Sequence, residues 1–182
     1  MSVGAWDAKH DPHSRFGIRW EMDEMLHDMR RRLPDHPVVL EIGTFQGDSL
    51  RVWCEEFEPS LLIGVQDTYE TTPEVADEVG AVMVIGKSQD PETYSQVVRI
   101  LSGRTIDLLY IDGDHMYPAV KRDWELYEPL VARGGIIVLH DAVIEDNPTV
   151  EVYQFYREIR EGRYTKLVSA GRGSTGTAMV FV

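Results

Sequence analysis

The stretch IDLLYIDGDHMYPAVKRDWELYEPLVARGGIIVLHD, residues 106–141, decides the fold. It opens on an apolar run that stops abruptly at Asp112, Gly113, Asp114 and His115. A helix follows, which can start near Pro118, reach Val131 and stop at Gly134 and Gly135, because proline suits a first turn and glycine an end. A second apolar run, Ile136 to Leu139, then delivers His140 and Asp141. Strand, helix, strand is the crossover unit of a parallel sheet, and here both strands end in carboxylate and imidazole groups.

The same alternation extends in both directions. Behind a polar leader over residues 1–15, the segment 16–33 spaces Ile18, Met22, Met25, Leu26, Met29 and Leu33 by threes and fours, as one helical face requires. Pro34 and Pro37 end it, VVLEIG (residues 38–43) reads as the first strand, and TFQGDSLRVWCEEF as a helix packed on it. Strands follow at 60–67 and 81–88, with a short helix in TPEVADEV between them and a longer one over Pro91–Leu101. After Asp141, NPTVEVYQFYREIREG predicts a helix with Pro148 near its first turn, and TKLVSAG with TGTAMVFV a hairpin. The prediction is one domain over residues 1–182: a doubly wound, Rossmann-like α/β fold with a seven-stranded, mostly parallel sheet and an antiparallel C-terminal hairpin.

Composition narrows the partners. The chain has 182 residues, 43% hydrophobic and 27% charged, with 18 Lys plus Arg against 31 Asp plus Glu. A formal charge of -13 repels a polyphosphate backbone and argues against nucleic acid. No apolar run approaches a membrane span, and the opening residues lack a signal peptide's basic start and apolar core, so a cytoplasmic, membrane-free protein is expected. The single cysteine, Cys54, cannot form an internal disulfide and is expected to pack beside Trp53. The amphipathic leading helix suits a homodimer interface or the chain's own sheet.

In an open parallel sheet, ligands bind beyond the carboxyl ends of the strands, where the strand order reverses. Candidate residues are therefore those that finish strands: Glu41 to Gly47, Gln66 and Asp67, Gly86 to Asp90, Asp112 to His115, and His140 with Asp141. EIGTFQG lacks the G-x-G-x-x-G pattern and has no Lys followed by Ser or Thr, so it is neither a dinucleotide fingerprint nor a P-loop. Glu41 just before it favours a ligand carrying positive charge or donors over a phosphate.

On VVLEIGTFQGDSL and the whole of residues 106–141, the sequence resembles the class I S-adenosylmethionine-dependent methyltransferases, in particular the cephalosporin hydroxylase-like and macrolide-sugar O-methyltransferase group. The resemblance implies an enzyme that methylates a hydroxyl of a small-molecule acceptor, a sugar or secondary metabolite, with S-adenosyl-L-methionine as donor and Mg²⁺ as candidate metal. It places Glu41, Gly43, Thr44 and Gly47 around the cofactor, with Ser49 near the entrance, Gln66 or Asp67 at the ribose, and Ser88 and Gln89 at the adenine. It also implies Asp112 and Asp141 as metal ligands, with Asp112 alternatively on the cofactor side, Asp114 as cap or auxiliary ligand, and His115 as general base. The position after Asp141, a further oxygen ligand in those enzymes, is Ala142 here. Metal-free transfer with His115 acting alone, and a non-catalytic cofactor-binding module, are the competing readings.

Overall fold

The computed structural model of the protein describes residues 15–182 apart from 69–72, 144, 146–147 and 170–174, with side chains from residue 23 onward apart from Pro73. The elements in chain order are α1 (Arg15–Arg32), β1 (Val38–Ile42), α2 (Asp48–Phe57), β2 (Leu61–Gln66), α3 (Pro73–Val79), β3 (Ala81–Ile85), α4 (Pro91–Leu101), β4 (Ile106–Ile111), α5 (Tyr117–Tyr127), β5 (Val131–His140), α6 (Val152–Ile159), β6 (Tyr164–Val168) and β7 (Thr177–Phe181). His10, His13, the side chain of Phe16, and Arg172 lie outside the described residues.

Because strand side chains alternate, β1 feeds two cores at once. Val38, Leu40 and Ile42 join one apolar layer with Val97 and Leu101 of α4, Val120 and Trp124 of α5, and Phe155 of α6. Val39 faces the other layer, with Leu50 and Trp53 of α2 and Met25, Leu26 and Met29 of α1. The leading helix thus lays its methionine face on the chain's own sheet. Cys54 lies against the same layer, partly buried, as a small apolar group. Phe155 and Tyr156 of α6 are core residues.

The sheet runs β3-β2-β1-β4-β5-β7-β6. The first five strands are parallel, and β7 is antiparallel to both β5 and β6. The order reverses between β1 and β4, which puts the switch point beside Ile42 and Ile111, paired neighbours at the strand ends.

Several boundaries differ from expectation: α2 starts at Asp48 rather than Thr44, β3 ends at Ile85 rather than Ser88, and two further ones have identifiable causes. The α5 helix does not reach Val131: Pro129 sits in a 3₁₀ turn over Glu128–Leu130, and Val131 is already in β5, paired with Ile106. Gly134 and Gly135 therefore stand in a strand irregularity rather than a helix end; their backbones are paired with Val182. Pro148 lies in a turn, and α6 starts at Val152, because Glu151 is tied to the preceding loop: its N–H bonds His115 O at 2.8 Å and its carboxylate accepts from Tyr117 N–H at 2.9 Å. Among the described residues, no helix is long and apolar enough to cross a membrane.

Candidate active site

Close backbone approach builds the switch point. Gly43 follows β1 with φ 86°, and a Cβ there would lie 2.0 Å from the Asp112 carbonyl oxygen. Asp112 N–H in turn bonds Ile42 O at 2.8 Å, so the ends of β1 and β4 are locked together. Gly47, φ 81°, then turns the chain into α2, whose first residue is Asp48.

The loop is held by side chains as well as by its glycines. Gln66 Oε1 accepts from the N–H groups of Thr44 at 2.9 Å and Phe45 at 3.1 Å, and its Nε2 donates to Thr68. Its carboxamide holds the β1–α2 loop in shape, whereas Asp67 next to it is exposed at the strand end. Phe45, held in the left-handed region at φ 43°, is exposed on the same loop.

Glu41 is fully buried and turned toward α2, where Trp53 Nε1 donates to it at 2.6 Å and the Ser49 hydroxyl bonds its other oxygen. Thus Glu41 and Ser49 are paired with each other beneath the glycine loop. Burial pushes the Glu41 carboxyl from its ordinary 4.5 up to about 8, against the opposing pull of Ser49 and Trp53. Between those values the unfolded chain binds fewer protons than the folded one, so this group makes stability fall as pH rises from 4.5 to about 8. Glu41→Gln keeps partners for both hydrogen bonds but cannot ionise. Urea unfolding of the two proteins should show the variant gaining on wild type by a few kcal/mol as pH is raised from about 5 to about 8. A difference that stays constant with pH would contradict a protonated Glu41.

The two acidic strand ends do meet. Nε2 of His115 lies 3.4 Å from Asp112 Oδ1, and its Nδ1 lies 3.0 Å from Asp141 Oδ2. His140 Nδ1 is 3.0 Å from Asp112 Oδ1 and 3.1 Å from Asp141 Oδ1. Yet His140 Nδ1 and Asp141 Oδ1 are buried without an aligned hydrogen bond, so their proximity is electrostatic rather than directional. Asp112, His115 and Asp141 each aim one donor atom at a common region.

Charge neighbours outweigh burial throughout this cluster. Burial favours neutral carboxyls, but the imidazoles keep Asp112 and Asp141 below the usual carboxylate range. Burial likewise opposes protonation of His140, and the two carboxylates overcome it, pushing the ring up to about 10. His115 is raised chiefly by Asp112.

Asp141 itself has φ 58°, uncommon for a side chain other than glycine and found where structure over-determines it. The residues just before β7 supply that constraint, since Ala142 N–H and Val143 N–H bond the carbonyls of Gly176 and Thr175 at 3.1 Å. Ala142 is buried in the core, so the cluster's further donors are the imidazoles. Asp114 stands apart: exposed, it accepts the Met116 N–H at 3.0 Å near the start of α5. Lys121 and Arg122 pair with Glu158 and Glu125, not with Asp112 or Asp114.

Ser88 and Gln89 follow β3 and gather on Asp123, a buried residue of α5. His140, a strand-end candidate in the sequence, joins the acidic cluster, whereas Glu151 as the anchor of the His115 loop and Asp123 escaped assignment from sequence. Only Asp123 had a sequence signal, an acid in the apolar stripe Val120, Trp124 and Tyr127.

The strand order and the cluster at its reversal define a Rossmann-like α/β protein with a carboxylate–imidazole cluster at its strand ends. The chain belongs to the methyltransferase domain family, whose model it matches over residues 40–142, more than half its length. It is 31% identical over 116 residues to an uncharacterized protein, R132, of Acanthamoeba polyphaga mimivirus, covering 59% of this chain and 52% of that one. To the uncharacterized protein y4gI of Sinorhizobium fredii it is 26% identical over 169 residues, 82% of this chain but 17% of the other. The chain thus spans about half the length of the first relative and a far smaller part of the second.

Among solved structures, the fold is similar to the O-methyltransferase TomG from Streptomyces achromogenes, involved in tomaymycin synthesis and in complex with SAM. The TM-score is 0.68 at 16% identity, over 91% of this chain and 79% of that one. MycE, a methyltransferase of the mycinamycin biosynthetic pathway in complex with Mg, SAH and mycinamycin VI, gives 0.65 at 20% identity, over 88% and 49%. At these identities the likeness is one of fold.

Proposed function

We propose that the protein is an S-adenosylmethionine-dependent O-methyltransferase acting on a hydroxyl of a small molecule, a sugar or secondary metabolite, with a divalent cation at Asp112 and Asp141. The observation that carries this is the convergence of Asp112, His115 and Asp141 beside the Gly43 loop, at the sheet's switch point. Family membership and the SAM-bound TomG fold support the donor; the Mg-bound MycE fold supports the cation.

The donor set fits a cation, because Asp141 Oδ1 is buried with no hydrogen-bond partner and two carboxylates share the site. Such an ion, Mg²⁺ being the first candidate for hard oxygen ligands, orients an acceptor's oxygens and lowers a hydroxyl's pKa when bound. The chain's own contributions are distinct. Gly43 lets the end of β1 close on Asp112, Gly47 turns the loop into α2, Gln66 fixes the loop between them, and Asp67 presents a carboxylate at the ribose position. Ser88 and Gln89 stand at the adenine position. His115, half-buried between the two carboxylates, is placed to take the acceptor's proton at a ring nitrogen. Holding donor and acceptor in line supplies the rest of the acceleration.

Calorimetric titration with S-adenosylmethionine and S-adenosylhomocysteine tests the donor, and absence of both heat and thermal shift would sink it. A methyl-transfer screen over hydroxylated metabolites tests the reaction. Activity in that screen that survives EDTA and does not rise with added Mg²⁺ would leave His115 working without a metal.

A further inference from the structure

Helix α5 begins without a cap of its own. Met116, at its N-cap position, offers no side-chain cap, and the first turn carries no acidic residue. Ala119 N–H turns back to Met116 O at 3.0 Å and Pro118 has no N–H, which leaves Tyr117 N–H as the donor to be satisfied. Glu151 satisfies it from beyond β5, its Oε2 accepting at 2.9 Å. In doing so Glu151 neglects its own helix. It stands at the N-cap position of α6, where a side chain can bond the first-turn amides, yet its carboxylate makes no such bond.

A second contact, Glu151 N–H to His115 O at 2.8 Å, holds the chain two residues earlier. On the other side of His115, Asp112 N–H is fixed on Ile42 O at 2.8 Å. His115 therefore lies in a short span pinned to β1 at its start and to Glu151 at its end. Tyr117 is itself a firm post, with its ring edge-on to Phe155 and its hydroxyl donating to Glu158, both on α6. The β5–α6 connection thus grips His115 twice: Asp141 at its start faces the ring Nδ1 at 3.0 Å, and Glu151 at its end fixes the backbone.

We propose that Glu151 is a positioning residue for proton removal, which holds the His115 ring between Asp112 and Asp141 through the Tyr117 N–H and the His115 carbonyl. This rests on the reading that His115 takes the acceptor's proton.

Glu151→Ala frees the Tyr117 N–H but keeps the backbone bond to His115, so the ring is loosened rather than released. With an accepted hydroxyl substrate, kcat should fall about ten- to a hundredfold, while the Kd for S-adenosylhomocysteine stays within about threefold of wild type. Glu151→Gln, whose amide oxygen can accept the same N–H, should stay within about threefold in kcat. In a His115→Ala background, Glu151→Ala should cost nothing further, because it acts only through that ring.

The ring also gives a readout independent of turnover. In NMR spectra of protein carrying isotope-labelled histidine, the His115 signal is the one missing from His115→Ala. It should shift or split in Glu151→Ala and keep its wild-type place in Glu151→Gln. A Glu151 that merely held the fold would cost the His115→Ala protein as much activity as wild type. That outcome, an unmoved ring signal in Glu151→Ala, or a Glu151→Gln protein as slow as Glu151→Ala each overturns the proposal. If Glu151→Ala does not fold, Glu151→Asp decides. Aspartate keeps the charge and suits the N-cap of α6 but is a methylene short of Tyr117, so a ring signal that it leaves in place overturns the proposal. A wild type that methylates no acceptor instead overturns the reading beneath, and the ring signal still decides whether Glu151 positions His115.

Discussion

His115→Ala is expected to lower kcat for methyl transfer by about 10²–10⁴-fold while leaving the Kd for S-adenosylhomocysteine within about threefold of wild type. The expectation comes from how the ring is held. Its backbone carbonyl is bonded by Glu151 N–H, and its two nitrogens face Asp141 at 3.0 Å and Asp112 at 3.4 Å. A solvated loop histidine would have none of these restraints. Single-turnover kinetics with an accepted hydroxyl substrate, beside calorimetry with S-adenosylhomocysteine, separates the reaction from binding. His115→Gln distinguishes proton transfer from positioning, because an amide can keep a hydrogen bond to either carboxylate but cannot take a proton at neutral pH. The glutamine variant should therefore be as slow as the alanine one. Activity in it near that of wild type would make His115 a positioning residue and return proton removal to solvent.

What the sequence made legible here follows from local physics. Asp112 and Asp141 were found because strand periodicity marks where a buried run ends, and a parallel sheet puts its ligands at those ends. The helix at Pro91–Leu101 was readable to the residue, with proline opening it and Ser102 and Gly103 in the left-handed region after it. The boundary between α5 and β5 was not, because the Gly134–Gly135 pair reads as a helix stop while the ladder to Ile106 captures Val131 first. The start of α6 was misplaced for a similar reason: Pro148 is a good first-turn residue, but Glu151 is held by Tyr117 from 34 positions away. Separation in sequence likewise concealed the partners of Gln66 and Asp123. A glutamine where an acidic ribose contact is expected reads as a weakened ligand, and only the folded chain shows its amide oxygen taken by Thr44 and Phe45.

Among the described glycines, Gly43→Ala should be the most damaging added methyl, costing on the order of 4 kcal/mol or more of unfolding free energy. Two costs combine at this position. The backbone has φ 86°, where an L side chain is strained by roughly 1 kcal/mol or more. The new Cβ would also lie 2.0 Å from the Asp112 oxygen, 2.4 Å from its carbonyl carbon and 2.7 Å from Gly113 Cα. All three are backbone atoms of the neighbouring strand end, so no rotamer change can relieve the contact, and β4 must move away from β1. Gly80→Ala is the internal control: its φ of 67° carries the same conformational strain, but nothing lies within 4 Å of the added carbon. Urea unfolding should place Gly80→Ala about 1 kcal/mol below wild type and Gly43→Ala several times further. Equal losses in the two variants would mean that the β1–β4 contact yields easily and that its closeness does not hold the site. Since Asp112 leaves β4 at the point that must move, any folded Gly43→Ala protein should also bind S-adenosylhomocysteine poorly and lose methyl transfer. Stability and the site fail together there because one pair of strand ends supplies both the close backbone contact and the first carboxylate of the acidic cluster.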